Sequence, residues 1–90
     1  MINGLNHVAL IISKEECLEF YKKLGFRETK RTVRPEKNDI LIMMENKGAV
    51  LEVFIKPDAP LSLNKPEAYG CRHLAFDVDN VDEILELLKD

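Results

Sequence analysis

Ninety residues are enough for one small domain, and the composition is that of a soluble globular chain, with 46% hydrophobic and 32% charged residues. A net charge of −3 without a basic stripe argues against nucleic-acid binding, and no apolar run is long enough to span a membrane. The first residues lack the features of a signal peptide, and two cysteines are few for a secreted domain of this size. We therefore expect a cytoplasmic protein.

The chain is predicted to begin with a strand and a helix. Residues 5–12 form an apolar run rich in β-branched side chains, which is typical of a strand buried on both faces. Ser13 and Glu16 make a Ser-x-x-Glu capping box, and apolar residues then recur with helical spacing. Gly25 is suited to end this helix with a positive φ, and Phe26 is expected to pack back against it.

Three strands are predicted next. Residues 27–34 alternate weakly and are very polar, which indicates an exposed strand, whereas residues 40–44 read as a buried one. Asn46-Lys47-Gly48 favours a tight hairpin, because Asn and Gly tolerate positive φ. Residues 49–55 form the strand after this turn.

The remaining residues predict a linker followed by a second strand and helix. Residues 57–70 contain three prolines and one glycine, which is typical of a linker. Residues 72–78 are predicted to be a strand. Asn80 and Glu83 then form a second capping box, and the apolar residues that follow predict a helix to the end of the chain.

The two halves share a short repeat. His7-Val8-Ala9-Leu10 matches His73-Leu74-Ala75-Phe76, and a polar cap and a helix follow each copy. We interpret this as an α+β fold of paired βαβββ modules: residues 1–56 are the first, 57–70 the linker, and 71–90 the start of an incomplete second. The unpaired strand of the second module would expose its edges. Either the natural chain continues beyond these residues, or a second copy of the chain covers the edges. We expect a homodimer, which domain swapping could form.

Three side chains are candidate metal ligands. His7 lies in an apolar strand, and the alternative is a core histidine bonded to a backbone carbonyl. Glu52 is flanked by apolar residues and costly to bury unless it is paired or metal-bound, and the alternative is a salt bridge at the edge of a strand. His73 repeats the setting of His7. Two imidazoles and one carboxylate from three strands form a common site for a first-row metal.

Four segments of the chain resemble the glyoxalase, bleomycin-resistance and dioxygenase superfamily, also called the vicinal oxygen chelate superfamily. They are Leu5-Asn6-His7-Val8-Ala9-Leu10, Phe20-Tyr21-Lys22-Lys23-Leu24-Gly25-Phe26, Val50-Leu51-Glu52-Val53-Phe54 and Arg72-His73-Leu74-Ala75-Phe76-Asp77-Val78. The resemblance covers nearly all 90 residues. It implies that His7, Glu52 and His73 bind one divalent ion (zinc, nickel, cobalt or manganese), and that the fourth ligand, a glutamate, would lie beyond the last residue.

Glu52 favours one branch of this superfamily. Extradiol dioxygenases have no ligand at its position, and antibiotic-binding members generally lack all the ligands, so the resemblance implies a glyoxalase-I-like lyase or isomerase. Such an enzyme acts on the hemithioacetal of a 2-oxoaldehyde by proton transfer through a metal-stabilised enediolate, with Glu52 or the missing glutamate as base. The alternatives are an acyl-CoA epimerase, a non-catalytic protein that binds a small molecule, and an inactive fragment.

Arginines are candidates for binding an anionic part of the small-molecule substrate. Glyoxalase I uses an arginine after its first helix for this purpose, which makes Arg27 or Arg31 the corresponding candidate. The two residues are expected to share one face of the second strand, and Arg34 and Arg72 are alternatives. Each could equally be a solvated surface arginine.

Overall fold

The computed structural model describes residues 1–61 and 67–89. It contains two compact units, Met1–Ala59 and Pro60–Asp90. Part of the predicted linker, residues 62–66, lies outside the described residues. The predicted module boundaries at residues 56 and 70 stay predictions.

The first unit has the predicted order of strand, helix and three strands. Its elements are β1 (Val8–Ile12), a 3₁₀ turn (Glu15–Cys17), α1 (Leu18–Lys23), β2 (Arg27–Arg34), a 3₁₀ turn (Pro35–Lys37), β3 (Asp39–Asn46) and β4 (Ala49–Ile55). The four strands form one sheet in the order β1-β4-β3-β2. β1 is parallel to β4, and the other two neighbouring pairs are antiparallel. This arrangement is a βαβββ module and confirms the predicted α+β fold.

The helix covers one face of the sheet. Leu18 is the buried residue of α1, and it belongs to a core made with side chains from the end of the helix, β3 and β4. The other members are Phe26, Ile42, Met44, Leu51, Val53 and Ile55. Alternate residues of β3 and β4 point to this core because successive side chains of a strand lie on opposite faces.

The opposite side of the sheet, which we call the open face, carries the intervening residues. Ala9 and Ile11 of β1 are exposed there, so the prediction that this strand is buried on both faces is wrong. The register places Glu52 beside Ala9 on one neighbouring strand and Met43 on the other. An apolar run by itself does not reveal how many faces are covered, because that depends on what packs on the sheet.

The first helix begins differently from the prediction but ends as predicted. The Ser13 capping box does not form: the chain enters a 3₁₀ turn capped by Lys14, and the Ser13 hydroxyl lies 3.9 Å from Cys17 Sγ. The predicted C-terminal end of the helix at Gly25 is confirmed. Gly25 has a φ of 102°, and its amide and that of Phe26 donate to carbonyls of the last helical turn.

The β3–β4 hairpin forms at the predicted turn. Asn46 pairs with Ala49, so Lys47 and Gly48 are the two residues of the loop. Their φ values of 50° and 83° are those of a type I′ turn, whose twist matches the flanking strands. Asn46 also donates from its side-chain amide to the Leu24 carbonyl, which joins the hairpin to the end of the helix.

The second unit contains the second predicted helix, but the predicted strand does not form. Helix α2 (Val81–Leu87) begins at Asn80, whose side-chain oxygen accepts from the Glu83 amide at 3.1 Å. Residues 72–78 make no sheet pairing within the part of the chain that is described. A strand needs a hydrogen-bonded partner, and the four strands of the sheet pair among themselves.

Asp39 is a buried carboxylate at the start of β3. Arg34 donates to both of its oxygens from Nε and Nη2 at 2.8 and 2.7 Å, and Lys56 Nζ lies 3.0 Å from Oδ2. Hydrogen bonding from Arg34 is the main reason why the pKa of Asp39 is held well below its usual range, and Lys56 adds to this effect against the opposing cost of burial.

The lowered pKa of Asp39 predicts a pH-dependent contribution to stability. An unfolded aspartate titrates near pH 4, so the contribution is fully present above about pH 5 and is lost as the pH falls toward the lower pKa of the folded state. We expect Asp39→Asn to flatten the decline of the urea midpoint between about pH 5 and pH 2. An unchanged decline in Asp39→Asn would contradict the assignment.

Candidate functional site

His7 and Glu52 meet on the open face. His7 directly precedes β1, and Glu52 lies in the middle of the adjacent β4. The distance from His7 Nε2 to Glu52 Oε1 is 3.7 Å, and the side chains are 40% and 24% exposed. This distance is longer than a normal hydrogen bond, so the two polar atoms face each other with a gap between them.

Asn6 orients the imidazole of His7. Asn6 Oδ1 lies 2.7 Å from His7 Nδ1. Because a carbonyl oxygen only accepts hydrogen bonds, Nδ1 carries the hydrogen, and in a neutral ring the lone pair is on Nε2. Metal-binding histidines usually have their second ring nitrogen held in this way. No functional role was predicted for Asn6 from the sequence, although it stands directly before the candidate ligand.

The pair fits a divalent cation. Two ligands at about 2.1 Å from a tetrahedral ion are roughly 3.4 Å apart, close to the separation of Nε2 and Oε1. The donor set of one imidazole and one carboxylate suits zinc, nickel, cobalt or manganese. Within residues 1–59, no third His, Cys, Asp or Glu completes a metal-binding group with the pair. The first unit therefore supplies two of the three predicted ligands.

His73 lies in the second unit, within the segment that forms no strand. It is exposed, and its backbone carbonyl accepts a weak hydrogen bond from the Cys71 thiol at 3.6 Å. Its role as the third ligand stays a prediction.

The candidate arginines of β2 lie on opposite faces of the sheet, so the prediction that they share one face is wrong. A bulge between Glu28 and Lys30 inserts an extra residue and reverses the alternation. Arg27 pairs across the sheet with Glu45 and lies 3.4 Å from its carboxylate, on the open face. Arg31 lies on the helix side. The role of either residue in substrate binding stays a prediction.

Arg31 instead joins the helix side of β2 to the turn that precedes α1. Its shortest hydrogen bonds are 2.9 Å to Glu15, from Nη1, and 2.8 Å to Glu28, from Nη2. These hydrogen bonds hold the pKa of both carboxyls below their usual range. The ion pairs are largely exposed, and such pairs contribute little to stability. They nevertheless occupy the guanidinium on the face opposite to Glu52.

The open face carries a second polar cluster that the sequence did not reveal. The Arg34 guanidinium lies 5.4 Å above the ring of Phe54, which is two residues beyond Glu52 on the same face of β4. Arg34 and Lys56 share Asp39 as their partner. The signal available in the sequence is the alternation Glu52, Phe54, Lys56, which predicts a shared face but not the partners from other strands.

Comparison with known proteins identifies close relatives. The chain is 36% identical over 91 residues to the uncharacterized protein YwkD of Bacillus subtilis (strain 168), covering 98% of this chain and 71% of YwkD. It is also 36% identical over 87 residues to the uncharacterized protein YaeR of Escherichia coli (strain K12), covering 90% of this chain and 65% of YaeR. The chain thus spans about two thirds of the length of these relatives.

Solved structures show the same architecture. A glyoxalase family protein from Enterococcus faecalis superimposes with a TM-score of 0.85 at 36% identity, covering 96% of this chain and 70% of that one. The structure of SMU.1112c gives a TM-score of 0.85 at 32% identity, covering 98% of this chain and 74% of its own. Among the described residues, no helix is long and apolar enough to cross a membrane. Residues 4–90 match the family model, and the chain belongs to the Glyoxalase/Bleomycin resistance protein/Dioxygenase superfamily.

Proposed function

We propose that this chain is part of a metal-dependent, glyoxalase-I-like lyase or isomerase that acts on the hemithioacetal of a 2-oxoaldehyde. The observation that carries the proposal is the His7–Glu52 pair, with Nε2 and Oε1 at 3.7 Å and the ring held by Asn6. With Nδ1 hydrogen-bonded to Asn6, the Nε2 atom of His7 and a Glu52 oxygen lie on either side of a position that suits a cation.

The chemistry requires one proton to move between neighbouring carbons. A divalent ion, when bound, supplies Lewis-acid polarisation of the substrate oxygens. The Glu52 carboxylate takes the proton from the carbon beside the carbonyl and returns it to the adjacent carbon, so the C–H bond that breaks is replaced by a new one. His7 orients the site from the neighbouring strand. The proposal includes His73 as a third ligand and a homodimer as the assembly.

Metal binding tests the site directly. We expect the purified full chain to take up a stoichiometric divalent ion from zinc, nickel, cobalt or manganese, and His7→Ala, Glu52→Ala and His73→Ala each to lose it. Glu45→Ala is the matched control, since this partly exposed carboxylate lies on the same face and pairs with Arg27. Retention of the ion by both the Glu52→Ala and His73→Ala variants would overturn the assignment of ligands.

Turnover distinguishes the proposed reaction from others. The loaded protein should convert the adduct of methylglyoxal and a thiol into a thioester. Racemisation of an acyl-CoA without thioester formation would instead identify an epimerase. Tight binding of a small molecule without turnover would identify a binding protein.

A further inference from the structure

We infer that Arg34 and Lys56 form an anchor for the carboxylate tail of the substrate on the open face. Arg34 ends β2 and lies over Phe54 of β4, and Lys56 directly follows β4. This inference rests on the proposed function, because the Glu52 end of the face is taken as the reacting end. It names the substrate class as a small 2-oxo compound, or its thiol adduct, that carries a carboxylate.

The anchor has one more cation than its buried acid. Arg34 and Lys56 share the fully buried carboxylate of Asp39, so these three groups together are singly positive, and the carboxylates of Glu36 and Glu52 also interact with Arg34. Arg34 alone already satisfies both Asp39 oxygens through Nε and Nη2. Neutralising the buried acid therefore does not require Lys56 as well.

Both cations keep part of their surface in contact with solvent. The side chains of Arg34 and Lys56 are 28% and 31% exposed, although they hold a carboxylate that is fully buried. Arg34 Nη1 takes no part in the bonds to Asp39 and retains its two N–H donors. The buried acid thus fixes the positions of two cations whose remaining donors can bind an anion in a bidentate manner.

Phe54 sets the distance between this anchor and the candidate metal ligands. A strand rises by about 3.3 Å per residue, so Phe54 is about 7 Å from Glu52 along β4. The Arg34 guanidinium stacks over the Phe54 ring at 5.4 Å. The pKa of Arg34 is raised chiefly by its hydrogen bonds to Asp39, and the charges of Asp39, Glu36 and Glu52 add to this effect. The Arg34 end of the anchor is therefore separated from Glu52 by one apolar side chain, roughly the length of a five-carbon dicarboxylate measured between its terminal oxygens.

Two probes that differ in one charge test the anchor. 2-Oxoglutarate has a vicinal pair of oxygens and a distal carboxylate, whereas 2-oxopentanoate has the same head and an apolar tail. In the full chain loaded with Zn²⁺, we expect 2-oxoglutarate to bind about tenfold more tightly, the scale of one hydrogen bond to a charged group. Lys56→Gln should lose most of this preference while leaving the Arg34–Asp39 pair in place. Lys37→Gln, an exposed lysine nearby, is the control and should retain it.

A zinc-free titration separates this inference from the proposed function. When 2-oxoglutarate is added to the zinc-free protein, the chemical shifts of the Phe54 ring and the Arg34 Nε–H should change saturably. They should change much less when 2-oxopentanoate is added. Unchanged chemical shifts of Phe54 and Arg34 on addition of 2-oxoglutarate, or equal affinities for the two probes, would overturn the anchor. Failure to bind zinc alongside a saturable response at Arg34 would overturn the metal-dependent function and leave the anchor standing.

Discussion

Replacing Leu18 by alanine is expected to destabilise the first unit by about 2–5 kcal/mol, the range for truncating a fully buried leucine. Leu18 is 0% exposed and is the buried residue through which α1 enters the core. The loss combines the transfer free energy of the removed atoms with the cavity left against β3 and β4. Because whole domains are typically stable by only about 5–15 kcal/mol, this is a large fraction of the total.

Ile11→Ala is the matched control for this experiment. Ile11 is another aliphatic residue, but it is 61% exposed on the open face, so its truncation should cost less than about 1 kcal/mol. Urea unfolding followed by circular dichroism measures both changes. Equal losses for the two variants would mean that the open face is covered to the same extent as the helix side.

Replacing Glu52 by glutamine is expected to lower turnover by about 10²–10⁴-fold, the usual contribution of a general acid–base group. Glutamine keeps the shape of the side chain and an oxygen that can bind a cation, but it cannot take up a proton. The assay is thioester formation at saturating zinc, so that a weaker affinity for the ion does not contribute to the loss. This prediction depends on the proposed function.

Glu45→Gln is the control for the Glu52 variant. Glu45 shares the open face and, like Glu52, is only partly exposed, yet it has Arg27 as its partner. We expect its turnover to stay within about twofold of wild type, as for a surface substitution away from the chemistry. Unchanged turnover in Glu52→Gln would remove Glu52 from the role of base and leave it, at most, as a ligand.

The elements of the first unit could be predicted because their signals are local. A helix that ends at Gly25 and a hairpin at Lys47-Gly48 depend on which residues tolerate positive φ, a property of the residues themselves. Residues 40–44 and 49–55 likewise predicted the strands β3 and β4 from their apolar content. The internal repeat predicted the pairing of modules, and the match of residues 4–90 shows the family that the resemblance indicated.

Other features depended on contacts that no local pattern contains. The bulge after Glu28, which separates Arg27 from Arg31, arises from how β2 pairs with β3. A 3₁₀ turn capped by Lys14 forms where the Ser13 capping box was predicted, directly before Leu18 enters the core. Residues 72–78 have the composition of a strand but no partner among the described strands.

The candidate site also has some features that the local sequence determines and others that depend on tertiary contacts. The amino-acid sequence by itself determined that Glu52 stands in a strand and that His7 stands beside one, because residue type and alternation are local properties. The strand predicted around His73 does not form within the described residues. Only the tertiary structure decided that Glu52 faces His7, that Asn6 orients the ring, and that Arg34 reaches across β3 to Phe54. The physical reason is that strand order and register bring distant residues together, and these are properties of the whole sheet rather than of any one segment.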